Sequence, residues 1–241
     1  MLKYNQYILE SRKIADPQII KAAKNGNNNE LIKILKNDST GINEKNSNGD
    51  TALTSACKES LILIIETLLK FDADVNIADS DGYTPLMLAR TPKIINLILN
   101  VKDIDINKSN IRNETALFDA NKYKLEKLLE FDNIDVNVQT KWGTTAIMNY
   151  INNNNNIPDI TILEKMLDKG LDLSLKDRDG KNLYYMLKEK IEQFEKFNKN
   201  EKLEKFIIFE NYINERFPEY NKEWRNDVGL KRSINKYNIG L

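Results

Sequence analysis

A short motif that occurs five times at one fixed spacing constrains the fold more than any other feature of this 241-residue chain. The clearest copy is VNIADSDGYTPL at residues 75–86, in which Asn76 precedes Gly82 by six positions. The same six-residue offset joins Asn43 to Gly49, Asn107 to Asn113, Asn137 to Gly143 and Ser174 to Gly180. Self-similarity with a period of roughly 20–50 residues is typical of solenoids, so the motif predicts a repeat architecture.

Each copy of the motif combines the residue types that a tight turn and a helix start require. Gly suits a backbone position with positive φ, and Asn113, which replaces it once, tolerates this region better than most residues. Two residues after Gly82, Thr84 is a good N-cap, and Pro85 suits the first helical position, where its missing N–H costs nothing. We therefore expect a turn at each Gly position and a helix that starts at the following Thr.

Amphipathic patterns fill the segments between the motifs, so each unit is predicted to contain two helices. Twelve residues separate Ala56 from Leu68 in the second unit, whereas eight separate Ala120 from Leu128 in the fourth. A difference of three or four residues is about one helical turn, so the shorter units are expected to lack about one turn. The fifth unit instead gains the polar stretch NNNNN at residues 152–156, where two helices should join.

The motif also carries a family resemblance. A helix opened by Gly-x-Thr-Pro-Leu, a paired Leu-Leu in a second helix and a closing Ala-Asp-Val-Asn resemble the ankyrin repeat. Residues 49–76 follow that consensus at full length, and residues 17–43 keep the spacing of a first repeat. The resemblance implies an all-α, ankyrin-type helical solenoid of about six repeats over residues 17–190, with short turn or β-hairpin joints. Residues 1–16 would then be an N-terminal extension and residues 191–241 a C-terminal helical cap and tail.

The chain departs from the family pattern in having no His. In place of the family's usual His after Thr-Pro-Leu, it has Thr54, Met87, Phe118, Met148 and Tyr185. The imidazole hydrogen bonds that tie successive turns are therefore missing, which implies a softer array. The lack of His also excludes Ser-His-Asp and Cys-His catalysis and HExxH zinc sites, and no phosphate-binding glycine motif is present. We therefore expect no catalytic residues and no cofactor.

Charge and composition argue against several classes of partner. Lys plus Arg and Asp plus Glu number 36 each, so no net charge attracts nucleic acid or an anionic membrane. The longest aliphatic run, at residues 61–65, is too short to span a bilayer, and the N-terminus has no apolar signal segment. The single cysteine, Cys57, is expected to be a buried, inert thiol. We therefore expect a cytoplasmic protein that binds neither nucleic acid nor membrane, and secretion by a non-classical route stays open.

The recurring acidic residues are predicted to be structural. The sequence DRDG at residues 177–180 begins like a calcium loop, but the twelfth position, Lys188, is not the Glu that such loops require. Carboxylate pairs such as Asp72 and Asp74 recur at equivalent places in several units, as turn residues do and a single catalytic pair does not. We therefore expect no metal site.

The resemblance implies that the protein binds another protein through the concave surface that turn tips and first helices form. Side chains beside each turn Gly project from the joint, and Trp, Tyr and Arg contribute most to interfaces. We therefore predict Tyr83, Arg112 and Trp142, from three consecutive units, as the main contacts; for Trp142 the alternative is packing on the next turn. The wider predicted set adds Asp50, Asp81, Glu114, Lys141, Arg178 and Lys181.

Two other functions stay open. A secreted or host-directed effector would use the same surface in another compartment. An enzyme would need its site in residues 191–241, where no spacing of Glu, Tyr and Lys suggests a reaction. We predict a protein-interaction module or adaptor that is monomeric when free and has no catalytic activity.

Overall fold

The computed structural model describes residues 16–153, 159–196 and 200–219, which form two compact units, one up to Leu128 and one from Leu129. The N-terminal extension up to residue 15, the Asn-rich insertion from residue 154 and the tail from residue 220 lie outside the described residues. Within the described ranges the regular structure is helical, with one isolated antiparallel bridge between Gln139 and Thr145. The predicted all-α class is confirmed, and the described joints between successive repeats are turns, with the Gln139–Thr145 bridge as their one strand-like pairing.

Most repeats contain a first and a second helix, and in the fourth repeat a turn stands in place of the first helix. In the first unit the helices are α1 Gln18–Lys24, α2 Asn28–Asn37, α3 Ala52–Lys58, α4 Ile62–Lys70, α5 Pro85–Leu88, α6 Pro92–Leu99 and α7 Lys122–Leu128. In the second unit they are α8 Ala146–Asn152, α9 Ile160–Asp168, α10 Leu183–Lys196 and α11 Asn200–Arg216. Helices α1 and α2 lie within the predicted first repeat.

First helices pack on first helices and second helices on second helices, which is how a solenoid buries its core. In the first unit, α3 packs against α1 and α5, and α4 packs against α2 and α6. Leu31, Ile65 and Ile95, one from each of α2, α4 and α6, are completely buried. Burial of a Leu or Ile side chain contributes about 1.5–3 kcal/mol, so these inter-repeat contacts hold the stack together.

Threonine side chains start the first helices, as the motif predicts. The hydroxyls of Thr51, Thr84 and Thr145 accept hydrogen bonds from the backbone N–H three residues later. Thr54, at the position of the family's His, completes a capping box because its hydroxyl accepts from the N–H of Thr51 at 2.8 Å. Such caps contribute about 1 kcal/mol each. The expected softness of the array stays a prediction.

The first helices shorten along the first unit. Helix α3 has seven residues, α5 has four, and the fourth repeat has only a turn at residues 116–119. The predicted loss of about one helical turn is confirmed. The second helices α4, α6 and α7 have nine, eight and seven residues, so the loss is largest in the first helices.

All five turn positions adopt the left-handed conformation that the motif predicts. The φ angle is +74° at Gly49, +82° at Gly82, +60° at Asn113, +77° at Gly143 and +75° at Gly180. Gly is also needed at some of these positions because consecutive turns stack closely. A Cβ atom at Gly82 would lie 2.7 Å from the Cα of Asn110.

One hydrogen-bonding scheme builds all five turns. A side chain three residues before the turn Gly accepts hydrogen bonds from the backbone N–H groups two and four residues beyond itself. The five acceptors are Asn46, Asp79, Asn110, Thr140 and Asp177. Asp177, which opens the calcium-like sequence, therefore uses its carboxylate to hold its own turn.

The Asn of the motif links one repeat to the next. Asn76 accepts a hydrogen bond from the N–H of Asp105 at 2.8 Å and donates to the carbonyl of Asp103 at 3.0 Å. Asn137 makes the equivalent pair of bonds in the second unit, with the N–H of Asp172 and the carbonyl of Gly170. An Asn is suited to this task because its amide both donates and accepts.

The second unit ends in a two-helix extension. Phe194 of α10 and Phe206 of α11 pack with ring centroids 5.2 Å apart, and Phe206 is 1% exposed. The buried Glu210 of α11 accepts a hydrogen bond from the hydroxyl of Tyr184 and pairs with Lys188, both on α10. This cluster joins two helices, and the predicted domain boundaries at residues 16 and 190 stay predictions.

Candidate functional site

Most of the predicted contact residues lie at the surface of the turns. Tyr83, Glu114 and Lys181 are half-buried, whereas Asp50 is buried. The five with exposed side chains are Asp81, Arg112, Lys141, Trp142 and Arg178. The structure thus brings predicted residues together within each unit, and their role in binding stays a prediction.

Trp142 lies at the tip of its turn with 48% of its surface exposed. The backbone of the next turn is close, because the N–H of Arg178 donates to the carbonyl of Trp142 at 2.9 Å. About half of the residue's surface nevertheless remains available to a partner. Packing on the next turn therefore does not bury this side chain.

Ile111 is an exposed apolar residue that the predicted set does not contain. It is 53% exposed beside Arg112, and its N–H donates to the carbonyl of Asp81 in the preceding turn at 3.0 Å. Its place in the sequence, directly before Arg112 and close to the turn residue Asn113, could have indicated that its side chain is exposed. The tips of the third and fourth repeats are therefore adjacent and carry both apolar and charged groups.

Asp50 and Lys181 have partners within the fold. The Asp50 carboxylate, 9% exposed, accepts from Lys58 at 2.6 Å, and Lys58 also reaches Asp79 at 2.9 Å. Lys58 therefore bridges two successive turns. Lys181 donates to the Glu189 carboxylate at 2.8 Å, which raises the pKa of Lys181.

The first unit contains a cavity of about 730 Å³ between the turns and the first helices of the second, third and fourth repeats. Predicted contacts Asp81, Tyr83 and Glu114 lie in its wall. The rest of the lining comes from the ends of the shortened helices and from the neighbouring turns: Lys58, Asp79, Met87, Leu88, Ala89, Arg90, Asn110, Thr115, Phe118, Asp119, Asn121 and Lys124. The cavity lies where α5 has four residues and the next first helix is only a turn.

Tyr83 marks the acidic side of this cavity. Partial burial raises the pKa of its hydroxyl, and the carboxylates of Glu114, Asp119 and Asp81 raise it further, while Arg112 acts in the opposite direction. The Glu114 carboxylate accepts from the side chain of Asn110 at 2.7 Å. The half-buried ring of Tyr83 therefore lies in the cavity wall close to several carboxylates.

Lys124 of α7 is a buried cation in the wall of the cavity. It is 3% exposed, and its ammonium group donates to the carbonyls of Met87 at 3.0 Å and Ala89 at 3.2 Å. Burial lowers the pKa of Lys124 to about 8. Sequence reasoning missed this residue because an isolated Lys in an amphipathic helix is expected to face solvent.

Cys57 is buried, as predicted. Burial raises the pKa of its thiol to about 12, although the charge of Lys124 acts in the opposite direction. The neutral thiol is a weak nucleophile because the thiolate is the reactive form.

Neither a metal site nor a membrane span is found in the described part of the chain. No group of three or more Asp, Glu, Cys or His residues there is arranged to hold a metal ion. None of the helices among residues 16–153, 159–196 and 200–219 combines the length and apolar character that crossing a bilayer requires.

Comparison with known proteins extends these findings. A family model of ankyrin repeats, in three copies, matches residues 19–110. The putative ankyrin repeat protein L271 of Acanthamoeba polyphaga mimivirus is 28% identical over 166 residues, which are 69% of this chain and 21% of L271. The chain therefore spans about a fifth of the length of this relative.

Two solved structures are similar in fold. The crystal structure of the ankyrin repeat protein EF0377 has a TM-score of 0.66 at 23% identity, covering 79% of this chain and 96% of the other. A chain from the complex of the Bdellovibrio bacteriovorus predatory endopeptidase Bd0816 with the immunity protein Bd3460 has a TM-score of 0.59 at 16% identity, covering 80% and 97%. The repeated motif, the stacked helix pairs and these similarities show that the chain contains ankyrin repeats, which the family model matches at residues 19–110.

Proposed function

We propose that this chain is an adaptor that binds a partner protein through the turn tips and first helices of its repeats. The observation that carries the proposal is Trp142, a Trp at a turn tip with 48% of its surface exposed. A large aromatic ring in this position gains free energy when a partner covers it, and Trp, Tyr and Arg are the residues that most often dominate interfaces.

The first unit carries its own set of proposed contacts. Ile111 and Arg112 are exposed at one tip, and Tyr83 lies half-buried at the neighbouring turn beside the cavity. We leave Asp50 out of the proposed contacts because Lys58 already occupies its carboxylate. Arg178 and Lys141 are exposed at turn tips of the second unit and stay in the proposed set.

The family supports this proposal. Ankyrin repeats generally mediate protein–protein interaction, and the fold is typically non-enzymatic. One of the similar folds was solved as part of a complex between an endopeptidase and an immunity protein. We propose a monomer that acts in the cytoplasm, where its one cysteine, the buried free thiol of Cys57, is stable in its reduced form.

The test compares affinity capture by the wild-type chain with capture by a variant carrying Tyr83→Ala, Arg112→Ala and Trp142→Ala. Truncation of an interface hot spot typically costs about 2 kcal/mol or more, about thirtyfold in affinity. We therefore expect a specific partner, identified by mass spectrometry from the native cell, to disappear from the triple variant. Far-UV circular dichroism should show the same helix content in both proteins.

A matched control carries three exposed substitutions away from the tips: Leu63→Ala, Lys70→Ala and Lys102→Ala. This control should retain the partner. The proposed surface is wrong if the partner survives the tip variant, or if both triple variants lose it equally.

A further inference from the structure

We propose that the cavity of the first unit is a binding site for a carboxylate group, held by the ammonium group of Lys124. Tyr83 lies both in the wall of this cavity and in the proposed partner surface, but the site is argued from Lys124 and does not depend on the partner-binding proposal.

The hydrogen bonding of Lys124 is incomplete. An ammonium group has three N–H donors, and within the described residues two of them have acceptors, the carbonyls of Met87 and Ala89. Both acceptors are neutral, and no described carboxylate forms an ion pair with this group. A buried charge is costly unless it is paired and fully hydrogen-bonded. An anion in the cavity would supply the missing acceptor and the opposite charge.

The cavity wall carries three cations and four carboxylates, so it favours a singly charged anion over a more highly charged one; the cations are Lys58, Arg90 and Lys124, and the carboxylates are Asp79, Asp81, Glu114 and Asp119. Arg90 and Asp119 line the same cavity; burial, and to a lesser extent Arg90, disfavour the protonated amine, whereas Asp119, and Cys57 when it is a thiolate, favour it. Asp81 and Glu114 add negative charge on the side of Tyr83. A dianion such as phosphate would meet these carboxylates with twice the repulsion. A carboxylate carries one charge and two oxygens, which suits one free N–H of an otherwise satisfied ammonium.

The size and walls of the cavity suit a small organic acid or an acidic side chain. Ligand pockets typically measure roughly 300–1,000 Å³, and this cavity measures about 730 Å³. Met87, Phe118 and Ala89 provide apolar wall beside the amine. An Asp or Glu side chain of a partner and a free organic acid share the same chemistry, so two probes are needed to separate them.

Titration followed by two-dimensional amide NMR tests the site. The probes are N-acetylglycine, as a free acid with one carboxylate, and the capped peptide acetyl-Gly-Glu-Gly-amide, which also carries one, at constant ionic strength and pH 7. We expect saturable shifts at the amides of Ala89, Phe118 and Lys124. Saturation by the free acid alone identifies a small-molecule site, and saturation by the peptide identifies a site that also accepts a partner's side chain.

The variant Lys124→Met keeps the aliphatic stem and removes the charge, so it should abolish saturation. Lys122→Met, which changes an exposed lysine on the same helix, is the matched control and should bind as wild type. Circular dichroism confirms that each variant is folded. Saturation that persists in Lys124→Met, or shifts that grow linearly without saturation, would show that Lys124 does not form a site.

A second measurement needs no variant. The carboxylate is held by the protonated amine, whose pKa in the fold is about 8. At pH 9.5 only a small fraction of Lys124 stays protonated, so the affinity should fall about thirtyfold relative to pH 7. An affinity that is unchanged at pH 9.5 would overturn the proposal even if Lys124→Met failed to fold.

Discussion

At Gly82, two separate constraints act on one residue. Its φ of +82° is unfavourable for any residue with a Cβ, and a Cβ there would also meet the Asn110 backbone at 2.7 Å. Gly26 meets only the first constraint, because at φ +66° its Cβ would make an ordinary contact of 3.8 Å with Leu61. Comparing substitutions at Gly82 and Gly26 therefore distinguishes the cost of backbone strain from the cost of separating closely stacked turns.

We predict that Gly82→Ala destabilises the protein more than Gly26→Ala does. The left-handed conformation costs about 1–2 kcal/mol in both, and the displaced Asn110 backbone should add roughly 1 kcal/mol or more in Gly82→Ala. Urea unfolding of the two variants measures the difference. Equal costs would mean that the turns can separate without loss.

Lys124 makes stability depend on pH in a defined direction. Folding lowers its pKa from 10.5 to about 8, so between these values the unfolded chain holds a proton that the folded chain has lost. Stability from this group therefore rises as the pH increases from about 8 to 10.5, and the penalty is fully present below pH 8.

We predict that wild type gains roughly 3 kcal/mol relative to Lys124→Met between pH 8 and 10.5. Comparing the two proteins cancels most of the titration of Cys57 and the tyrosines, which are present in both. Denaturant unfolding across this range gives the difference curve. A flat curve would show that Lys124 stays charged in the fold.

At the scale of the element, the five turns share a single acceptor scheme with different side chains. Asp79 accepts from the N–H groups of Asp81 and Tyr83 at 3.1 and 2.9 Å, and its other oxygen pairs with Lys58. In neighbouring turns the uncharged side-chain oxygens of Asn46 and Asn110 accept the equivalent pairs of backbone hydrogen bonds. The turn thus needs the side-chain oxygen more than the negative charge.

We predict that Asp79→Ala costs about 2 kcal/mol, because it leaves two N–H groups of the turn without their acceptor and Lys58 without one partner. Asp79→Asn keeps the acceptor oxygen and should cost less than about 1 kcal/mol, since the ion pair involves the partly exposed Lys58. Thermal or urea unfolding decides between them. If Asn is as damaging as Ala, the ion pair is the dominant interaction.

Helix α5 shows how a shortened element is completed from elsewhere. Its four residues cannot satisfy its own last carbonyls, since each helix leaves about four of them without partners. Lys124, 35 and 37 residues later in the chain, donates to two of these carbonyls. The side chain of a second helix therefore replaces the missing turn of a first helix.

At the scale of the whole molecule, the described residues up to Leu128 have a core of their own. Their helices α1 to α7 pack pairwise within the unit, and residues such as Leu31, Ile65 and Ile95 are fully buried there. In repeat proteins, stability is approximately a sum of repeat and nearest-neighbour terms, so a subset of repeats can fold by itself.

We predict that a chain of residues 16–128 folds. It should show a helical far-UV spectrum and one cooperative urea transition, because its inter-repeat contacts lie within that range. The full-length chain under the same conditions is the reference. A fragment without a cooperative transition would show that this unit depends on residues beyond Leu128.

The sequence by itself determined the joints and therefore the fold family. The positive φ at Gly82 or Asn113 and the helix cap at Thr84 depend only on residues close in sequence. The residue types at these positions therefore predict both features. Five copies at one offset then implied a stack of helix pairs, because one pair cannot bury its apolar face. The exposed tips of Arg112 and Trp142 also followed from their places beside the turn.

Only the tertiary structure decided which polar residues serve the fold and where a cavity opens. The Asp50 carboxylate forms an ion pair with Lys58. The Asn76 side chain joins two repeats through hydrogen bonds to residues 27 and 29 positions later in the chain. The cavity exists because the first helix of the third repeat is short and the fourth repeat has only a turn in its place. Lys124 is buried there because carbonyls 35 and 37 residues earlier accept hydrogen bonds from its ammonium group. Such contacts depend on which atoms the stacking brings together, and no local pattern of residue types records that.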